Sequence, residues 1–398
     1  MDLAVETHAT VIPWWVKNKA PWSGEIFERM ALLPEDSREQ RIQAMRAAIL
    51  PHYLDGKRRL SVTQAQIVTR SYQETEGMHP AIRRALAMKR IFEEIPLALQ
   101  PGQVLMGTAS SGPHIIDFNP CFLPTAPEEW EANIGLETAI EAAAIRYVFP
   151  EEDQRIFKEE IWPYWKTRAR EIYFFNELKL QHPEAWDHML HAQNVRYSPL
   201  VGNGQAHTIQ QYNIFLQKGL LAIRQEIQSC LDELDDANPG SIEDFERRTL
   251  YQAMMIAADG LMIYARRNAE LAEQLAAAEA DPQRRSELQE MARICRRVPA
   301  YPAESWWEAL QSFHFLRLAT AMTEGADSHS AGRFDQYMLP YLQRDLERGT
   351  LSREDAQFLL EAFFLKWNET RAFKLKLSVG SAGGGNNDKL NIGGTDEY

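Results

Sequence analysis

Cysteine is scarce in this sequence, and long apolar runs are missing. The three cysteines, Cys121, Cys230 and Cys295, lie far apart and fit neither a disulfide framework nor the spacing of a zinc site, which predicts a reducing compartment. No apolar run reaches the length that spans a bilayer, and no charged-then-apolar signal opens the chain. We therefore expect a cytoplasmic protein that does not enter a membrane.

An excess of basic residues is also missing. Lys and Arg number 43 against 56 Asp and Glu, which gives a formal net charge of −13. Because a surface that binds phosphates is normally basic, this balance argues against nucleic acid as a partner. The acidity is typical of a soluble cytosolic surface.

The short signatures of several common enzyme classes are absent as well. The sequence contains no G-x-S-x-G, no H-E-x-x-H and no C-x-x-C, which disfavours a hydrolase and a metalloenzyme. His188 and His191 lie three apart, on one face of a predicted helix, but they lack the glutamate and the third ligand of a zinc site. We therefore predict no metal.

What the sequence does contain is material for a large, mostly helical body. With 398 residues and 45% hydrophobic content, the chain can bury a substantial core. Residues 1–36 are rich in Trp and Pro and predict an extended N-terminal arm packed on that body. Strand candidates are short and few, at 104–107, 375–379 and 389–393. Apolar periodicity and helix-start signals predict helices at 63–72, 80–95, 250–272, 284–297 and 350–370.

Two polar segments stand out between the apolar patterns. Residues 324–335 lie between two predicted amphipathic helices, and residues 201–212 lead through two glycines and His207 into another helix. A polar cluster between core elements is where a buried site would be built, although an ordinary helix-to-helix turn explains the spacing at 324–335 equally well. Within that segment, Arg333 and Asp335 are predicted to form a structural ion pair that holds the loop.

Both segments resemble one known family. Residues 328–337, SHSAGRFDQY, with Pro340 and Tyr341, resemble the S-x-S-x-G-R-x-D-Q-Y…P-Y segment of the glycyl radical enzymes. These are the pyruvate formate-lyase-like proteins, especially their dehydratase, C–N lyase and decarboxylase branches. Residues 201–212 are similar to the family's G-H-x-x-x-D-Y segment, with His207 matching. Further matches follow in the family's order at 62–107, 150–165, 296–303, 308–312, 350–370 and 390–396.

The resemblance implies a fold. In this family a ten-stranded α/β barrel is assembled from two halves and enclosed by helices. Residues 1–398 would form the N-terminal portion of the pyruvate formate-lyase-like domain, with the first half of the barrel and the surrounding helical layer. The many helical patterns and few strand candidates of this sequence agree in part with such a helix-rich α/β fold.

The resemblance also implies a reaction, which is radical elimination from a small organic substrate by a dehydratase, lyase or decarboxylase of anaerobic metabolism. In the family a separate S-adenosylmethionine, iron–sulfur activase installs a glycyl radical, and a cysteine relays it to the substrate. No cofactor would be bound directly, and the complete enzyme would be a homodimer. The G-C-x-E and R-V-x-G-Y motifs of that cysteine and glycine do not occur here, so we expect the isolated chain to be inactive.

The site residues follow from the matching motif positions. The resemblance implies that one wall of the active site is lined by His207, Asp327, Ser328, His329 and Ser330. Asp327, His329 and His207 would give or take a proton at a leaving hydroxyl or amine. Ser328 and Ser330 would hydrogen-bond the substrate. Asp327 stands where relatives often have His, which disfavours glycerol-type and choline-type substrates.

Two other functions stay open at this point. A non-catalytic scaffold or binding protein that kept the half-barrel explains the missing cysteine and glycine. The two crowded polar segments favour the enzyme, because a pure scaffold has no need of them. A formate acetyltransferase-like C-acyltransferase is the second alternative. If the chain is part of the enzyme, it would be a truncated form, a natural fragment or one subunit of a split enzyme; the scaffold is favoured if 398 residues is the natural length.

Overall fold

A computed structural model describes residues 35–54, 57–112, 115–122, 146–185, 207–234, 241–324 and 328–369. The first helices are α1 (Glu35–Leu54), α2 (Thr63–Glu74), α3 (Pro80–Glu94), α4 (Glu151–Ile156), α5 (Trp162–Trp165) and α6 (Arg170–Gln181). A π-helical turn, Phe157–Ile161, joins α4 to α5, and a 3-10 turn covers Pro120–Phe122. Later come α7 (Tyr212–Glu233), α8 (Ile242–Ala278), α9 (Pro282–Arg297), α10 (Trp306–Glu324), α11 (Phe334–Arg348) and α12 (Arg353–Trp367).

The strands of the described residues form two small parallel sheets. In the first, β1 (Lys57–Ser61) lies between β2 (Ile115–Asp117) and β3 (Arg146–Val148). In the second, β4 (His207–Ile209) pairs with β5 (Ser328–Ser330). Parallel strands need long crossover connections, and helices provide them here. None of the described helices is long and apolar enough to cross a bilayer.

The helices predicted from apolar periodicity are confirmed. Pro80 occupies the first position of α3, where its missing amide costs little. Ser241 and Ser352 cap α8 and α12 by accepting the backbone N–H groups of Asp244 and Asp355. The strand candidates at 375–379 and 389–393 and residues 1–34 of the predicted arm lie outside the described residues.

Helix α10 runs through the interior of the protein. Its apolar side chains Trp307, Leu310 and Phe313 are almost completely buried, and so are polar side chains on the same helix. A buried polar group that lacks a hydrogen-bond partner costs about 1–3 kcal/mol, so each of these side chains has to be matched from within the protein. The buried polar side chains in its middle are Gln311, Ser312, His314 and Arg317.

The need for hydrogen-bond partners on α10 explains why the predicted strand at residues 104–107 is wrong. The segment is buried as expected, but it pairs with side chains of α10 rather than with a strand. Gln311 accepts the N–H of Met106 at 2.8 Å through Oε1 and donates to its carbonyl at 3.0 Å through Nε2. Trp307 Nε1 donates to the carbonyl of Val104 at 2.9 Å. The amide of Gln311 thus takes the place of a neighbouring strand.

Replacing Gln311 with Met should destabilise the protein strongly. The change keeps the length of the side chain but leaves the buried N–H and C=O of Met106 without partners. We expect the free energy of unfolding to fall by about 2–4 kcal/mol in urea denaturation. The matched control is Gln357→Met on α12, because Gln357 is exposed and bonds only Glu361, four residues on. A control loss as large as that of Gln311→Met would contradict this account.

Candidate functional site

The two polar segments recognised in the sequence meet as adjacent strands. The register of the parallel pair places His207 beside Ser328, Thr208 beside His329 and Ile209 beside Ser330. Helix α7 follows β4 after two residues, and α10 precedes β5. Asp327 lies outside the described residues. The pairing therefore brings His207, Ser328, His329 and Ser330 into one two-stranded unit.

The register also separates these residues by face. Successive residues of a strand alternate between the two faces of a sheet. Positions 207, 328 and 330 accordingly share one face, while positions 208 and 329 occupy the other. Ile209, which belongs to the first face, is 68% exposed. The register therefore places positions 207, 328 and 330 on the same face as the exposed Ile209, and position 329 on the opposite face.

The end of β4 is anchored on helix α10. The amide of Gln210 donates to Thr320 Oγ1 at 3.4 Å and accepts the hydroxyl of Tyr212 at 2.9 Å. The ring of Tyr212 stacks on Phe313 with centroids 4.1 Å apart. These contacts tie the polar strand to a buried aromatic surface, which fixes where β4 ends.

The residues after β5 form a tight exit into α11. Gly332 has a φ of 65°, and a Cβ there would lie 3.4 Å from Ile209 Cγ2 on the paired strand. Tyr337 donates its hydroxyl to the carbonyl of Ala331 at 2.6 Å. Burial raises the pKa of the Tyr337 phenol above its ordinary value, so it remains a neutral donor.

Arg333 and Asp335 do approach each other in this exit. Arg333 Nε lies 3.4 Å from Asp335 Oδ1, and both side chains are about one-third exposed. A partly exposed pair at this distance contributes little to stability, typically below about 1 kcal/mol. Its role in holding the loop stays a prediction.

A second polar cluster, which the sequence did not reveal, lies at the carboxyl ends of β1 and β2. Asp117 accepts the backbone N–H of Ser111 at 2.6 Å and that of Gln64 at 3.1 Å. The hydroxyl of Ser111 lies 3.2 Å from that of Ser61. Burial raises the pKa of Asp117, and these hydrogen bonds oppose that rise. Its partners are 6 and 53 residues away, so no local pattern could have predicted the cluster.

A buried cluster of basic side chains joins α10 to α12. Lys366 donates to the side-chain oxygen of Gln103 at 2.7 Å and lies 2.9 Å from Glu369. Arg317 lies over the ring of Trp367, 4.5 Å from its centroid. Burial, Lys366 and Arg317 hold the pKa of His314 well below its ordinary value, so its imidazole is neutral and Nε2 faces the carbonyl of Gly107 at 3.3 Å. His314 is therefore a structural histidine.

Comparison with known proteins identifies the family. The sequence matches the family model described as pyruvate formate lyase-like over residues 35–398, and the chain therefore belongs to that family. It is 30% identical over 347 residues to an isethionate sulfite-lyase of Oleidesulfovibrio alaskensis, covering 84% of this chain and 40% of that protein. It is 29% identical over 316 residues to trans-4-hydroxy-L-proline dehydratase of Clostridioides difficile, covering 79% of this chain and 38% of that protein.

Solved structures show the same fold. A structure of 1,2-propanediol dehydration in Roseburia inulinivorans matches with a TM-score of 0.77 and 28% identity over 87% of this chain and 40% of that one. Hydroxyproline dehydratase of Clostridioides difficile, solved with its substrate, matches with a TM-score of 0.74 and 27% identity over 85% and 41%. The predicted family and helix-rich α/β fold are thus confirmed. The chain spans about two-fifths of the length of these relatives.

Metal-ligand clusters can be assessed only in the described part of the chain. Among the residues that the structure describes, no group of three or more His, Cys, Asp or Glu side chains is arranged to hold an ion. The His188 and His191 pair lies outside them. The chemistry available in the described part of the site is that of hydroxyl and imidazole groups.

One buried carboxyl joins the helices on either side of the 324–335 segment. Asp345, on α11, is fully buried and accepts the first backbone N–H of α10, from Trp306, at 2.7 Å through Oδ2. Its Oδ1 is buried without a hydrogen-bond partner. Burial raises the pKa of Asp345 to about 7, with Glu308 adding to the rise and Arg348 and Arg344 opposing it.

Asp345→Asn should therefore change how stability depends on pH. The folded protein holds the proton of the Asp345 carboxyl more tightly than the unfolded chain does. The stabilisation that this proton gives is complete below about pH 4 and is lost as the pH rises towards 7. The variant has no proton to lose, and we expect it to be the more stable protein by about 1 kcal/mol or more at pH 8. Urea denaturation between pH 4 and 8 measures this, with the exposed Asp232→Asn as control. If the free energy of unfolding depends on pH in the same way in Asp345→Asn as in the wild type, Asp345 does not titrate between pH 4 and 8.

Proposed function

We propose that this chain forms the N-terminal part of a glycyl radical lyase, of dehydratase, C–X lyase or decarboxylase type, that acts on a small organic substrate. The observation that carries the proposal is the parallel pairing of His207 with Ser328. It joins the two polar segments that resemble the family's site, although 120 residues separate them in the chain. The relatives named above are a sulfite-lyase and a dehydratase, which supports an elimination.

The open face of the β4–β5 pair suits the polar part of such a reaction. A serine hydroxyl both donates and accepts, so Ser328 and Ser330 would orient a substrate hydroxyl, amine or acidic group. An imidazole titrates near neutral pH, so His207 would deliver a proton to the leaving group, with Asp327 as a second candidate. The resemblance assigns hydrogen abstraction to a radical cysteine that this sequence lacks. His329 keeps a proposed proton-transfer role, although its position is on the other face.

Partners and location follow from the same proposal. The complete enzyme would be a cytoplasmic homodimer, and a radical S-adenosylmethionine activase would install its glycyl radical. The relatives' printed names suggest the substrates to try first: isethionate, trans-4-hydroxy-L-proline and 1,2-propanediol. All three are small and carry a hydroxyl next to the bond that elimination would break or at that bond.

The first test is the intact mass of the protein from its native source. The proposal requires the missing cysteine and glycine to be supplied. We therefore expect a polypeptide much larger than 45.7 kDa, or a second polypeptide that co-purifies with this one. Native and denaturing mass spectrometry distinguish the two. A species of 45.7 kDa with no companion would reject the lyase and leave the scaffold.

The second test separates the two faces of the sheet. In the complete, activated enzyme, Ser328→Ala should lower kcat/KM about tenfold or more, because a hydrogen bond to the substrate is lost. His207→Gln should lower it about 100-fold, as expected for a group that transfers a proton. Thr208→Val, on the other face, is the control and should stay within about threefold. Consumption of the three substrates is followed by NMR, and equal losses in all variants would contradict the assignment of faces.

A further inference from the structure

The last turn of α10 poses a hydrogen-bonding problem. The final four carbonyls of a helix have no N–H partner within it. Helix α10 ends at Glu324, so the carbonyls of Met322 and Thr323 belong to this group. Both residues are buried, at 2% and 7% exposure, which leaves little access for water. Other parts of the protein must therefore supply donors.

Two side-chain amides from distant parts of the chain do so. Gln64, in the first turn of α2, donates from Nε2 to the carbonyl of Met322 at 2.6 Å. Asn119, just after β2, donates from Nδ2 to the carbonyl of Thr323 at 3.1 Å. Gln64 is itself buried, with 2% exposure. The last turn of α10 is thus held by two long-range contacts.

Each amide is also held in place on its other side. Asn119 accepts the N–H of Cys121 at 3.0 Å through Oδ1, which leaves Nδ2 as the end that donates. The backbone N–H of Gln64 donates to Asp117. The Asp117 cluster at the ends of β1 and β2 therefore orients the first turn of α2, and α2 in turn presents Gln64 to α10.

We propose that Gln64 and Asn119 are positioning residues for strand β5. Only residues 324–327 separate the carbonyl of Thr323 from Ser328, so the place where α10 ends determines where β5 can begin. The two amides fix that end to the first sheet, and so they set the position of Ser328 relative to His207. The inference rests on the proposed function only where it treats β5 as the wall of a substrate site.

The test compares local opening of β5 in three variants of the intact protein. Gln64→Met removes the donor and keeps the length of the side chain. Gln64→Glu restores a donor only when the carboxyl is protonated, and burial favours that form. Gln66→Met, on the same helix, is the matched control, because Gln66 bonds only Glu160 at the surface. Hydrogen–deuterium exchange is measured for the peptide covering residues 324–333 and for peptides of α12.

The proposal makes distinct predictions for each variant. Gln64→Met should raise exchange of the 324–333 peptide about tenfold relative to the wild type, with α12 unchanged, whereas Gln66→Met should raise neither. In Gln64→Glu, the exchange of the 324–333 peptide should equal that of the wild type at pH 5.5 and that of Gln64→Met at pH 8.5. A simple loss of packing would not produce this dependence on pH. If Gln64→Met does not fold, Asn119→Ala carries the same comparison.

Two results would overturn it. One is a uniform rise in exchange over the whole chain, which would make Gln64 a general stabilising residue. The other is unchanged exchange at 324–333. Because the experiment needs neither substrate nor radical, its outcome is independent of whether the protein is a lyase. If exchange shows that β5 is fully protected and the complete, activated enzyme still has no lyase activity, that result counts against the proposed function and not against the positioning role.

Discussion

A helix that is buried on nearly every side needs hydrogen-bond partners for its polar groups inside the protein. Helix α10 imposes that condition on its surroundings, and they meet it at most positions, although Nδ1 of His314 has no partner. Its first N–H is accepted by Asp345, and its middle is matched by the backbone at residues 104–107. Gln64 and Asn119 donate to carbonyls of its last turn. Helix α10 therefore contacts α2, α11, the segment after the first sheet and the 104–107 segment through hydrogen bonds. Strand β5 begins shortly after α10 ends.

Much of this helical framework could be predicted from the sequence, because apolar periodicity and caps are local signals. The two polar segments were also recognisable, through motif order. Their pairing was not, since the register between His207 and Ser328 depends on contacts across 120 residues. The failure at residues 104–107 has the same origin. A buried extended segment looks like a strand, and only the tertiary structure shows that Gln311 replaces the neighbouring strand.

The charges around α10 suit a rigid wall rather than a mobile one. Glu308, in its first turn, is fully buried and accepts from both Arg293 and Arg297 of α9, at 2.8 and 3.3 Å. Lys366 is buried against Gln103 and Glu369. Breaking such a buried pair leaves an uncompensated charge and costs about 3–5 kcal/mol, so these contacts oppose displacement of the helix. Under the proposed function this rigidity matters, because a proton donor works only within hydrogen-bond reach of its target.

The sheet face to which positions 207 and 328 belong is not fully buried, because Ile209 on that face is 68% exposed. Parallel sheets are normally covered on both faces, and the described strands leave this one open. Elimination through a radical needs a site from which water is excluded, since reactive intermediates are otherwise lost to side reactions. Under the proposed function, covering this face is therefore the step that turns a preformed binding surface into a reaction site, and relatives more than twice as long as this chain have the material to do it.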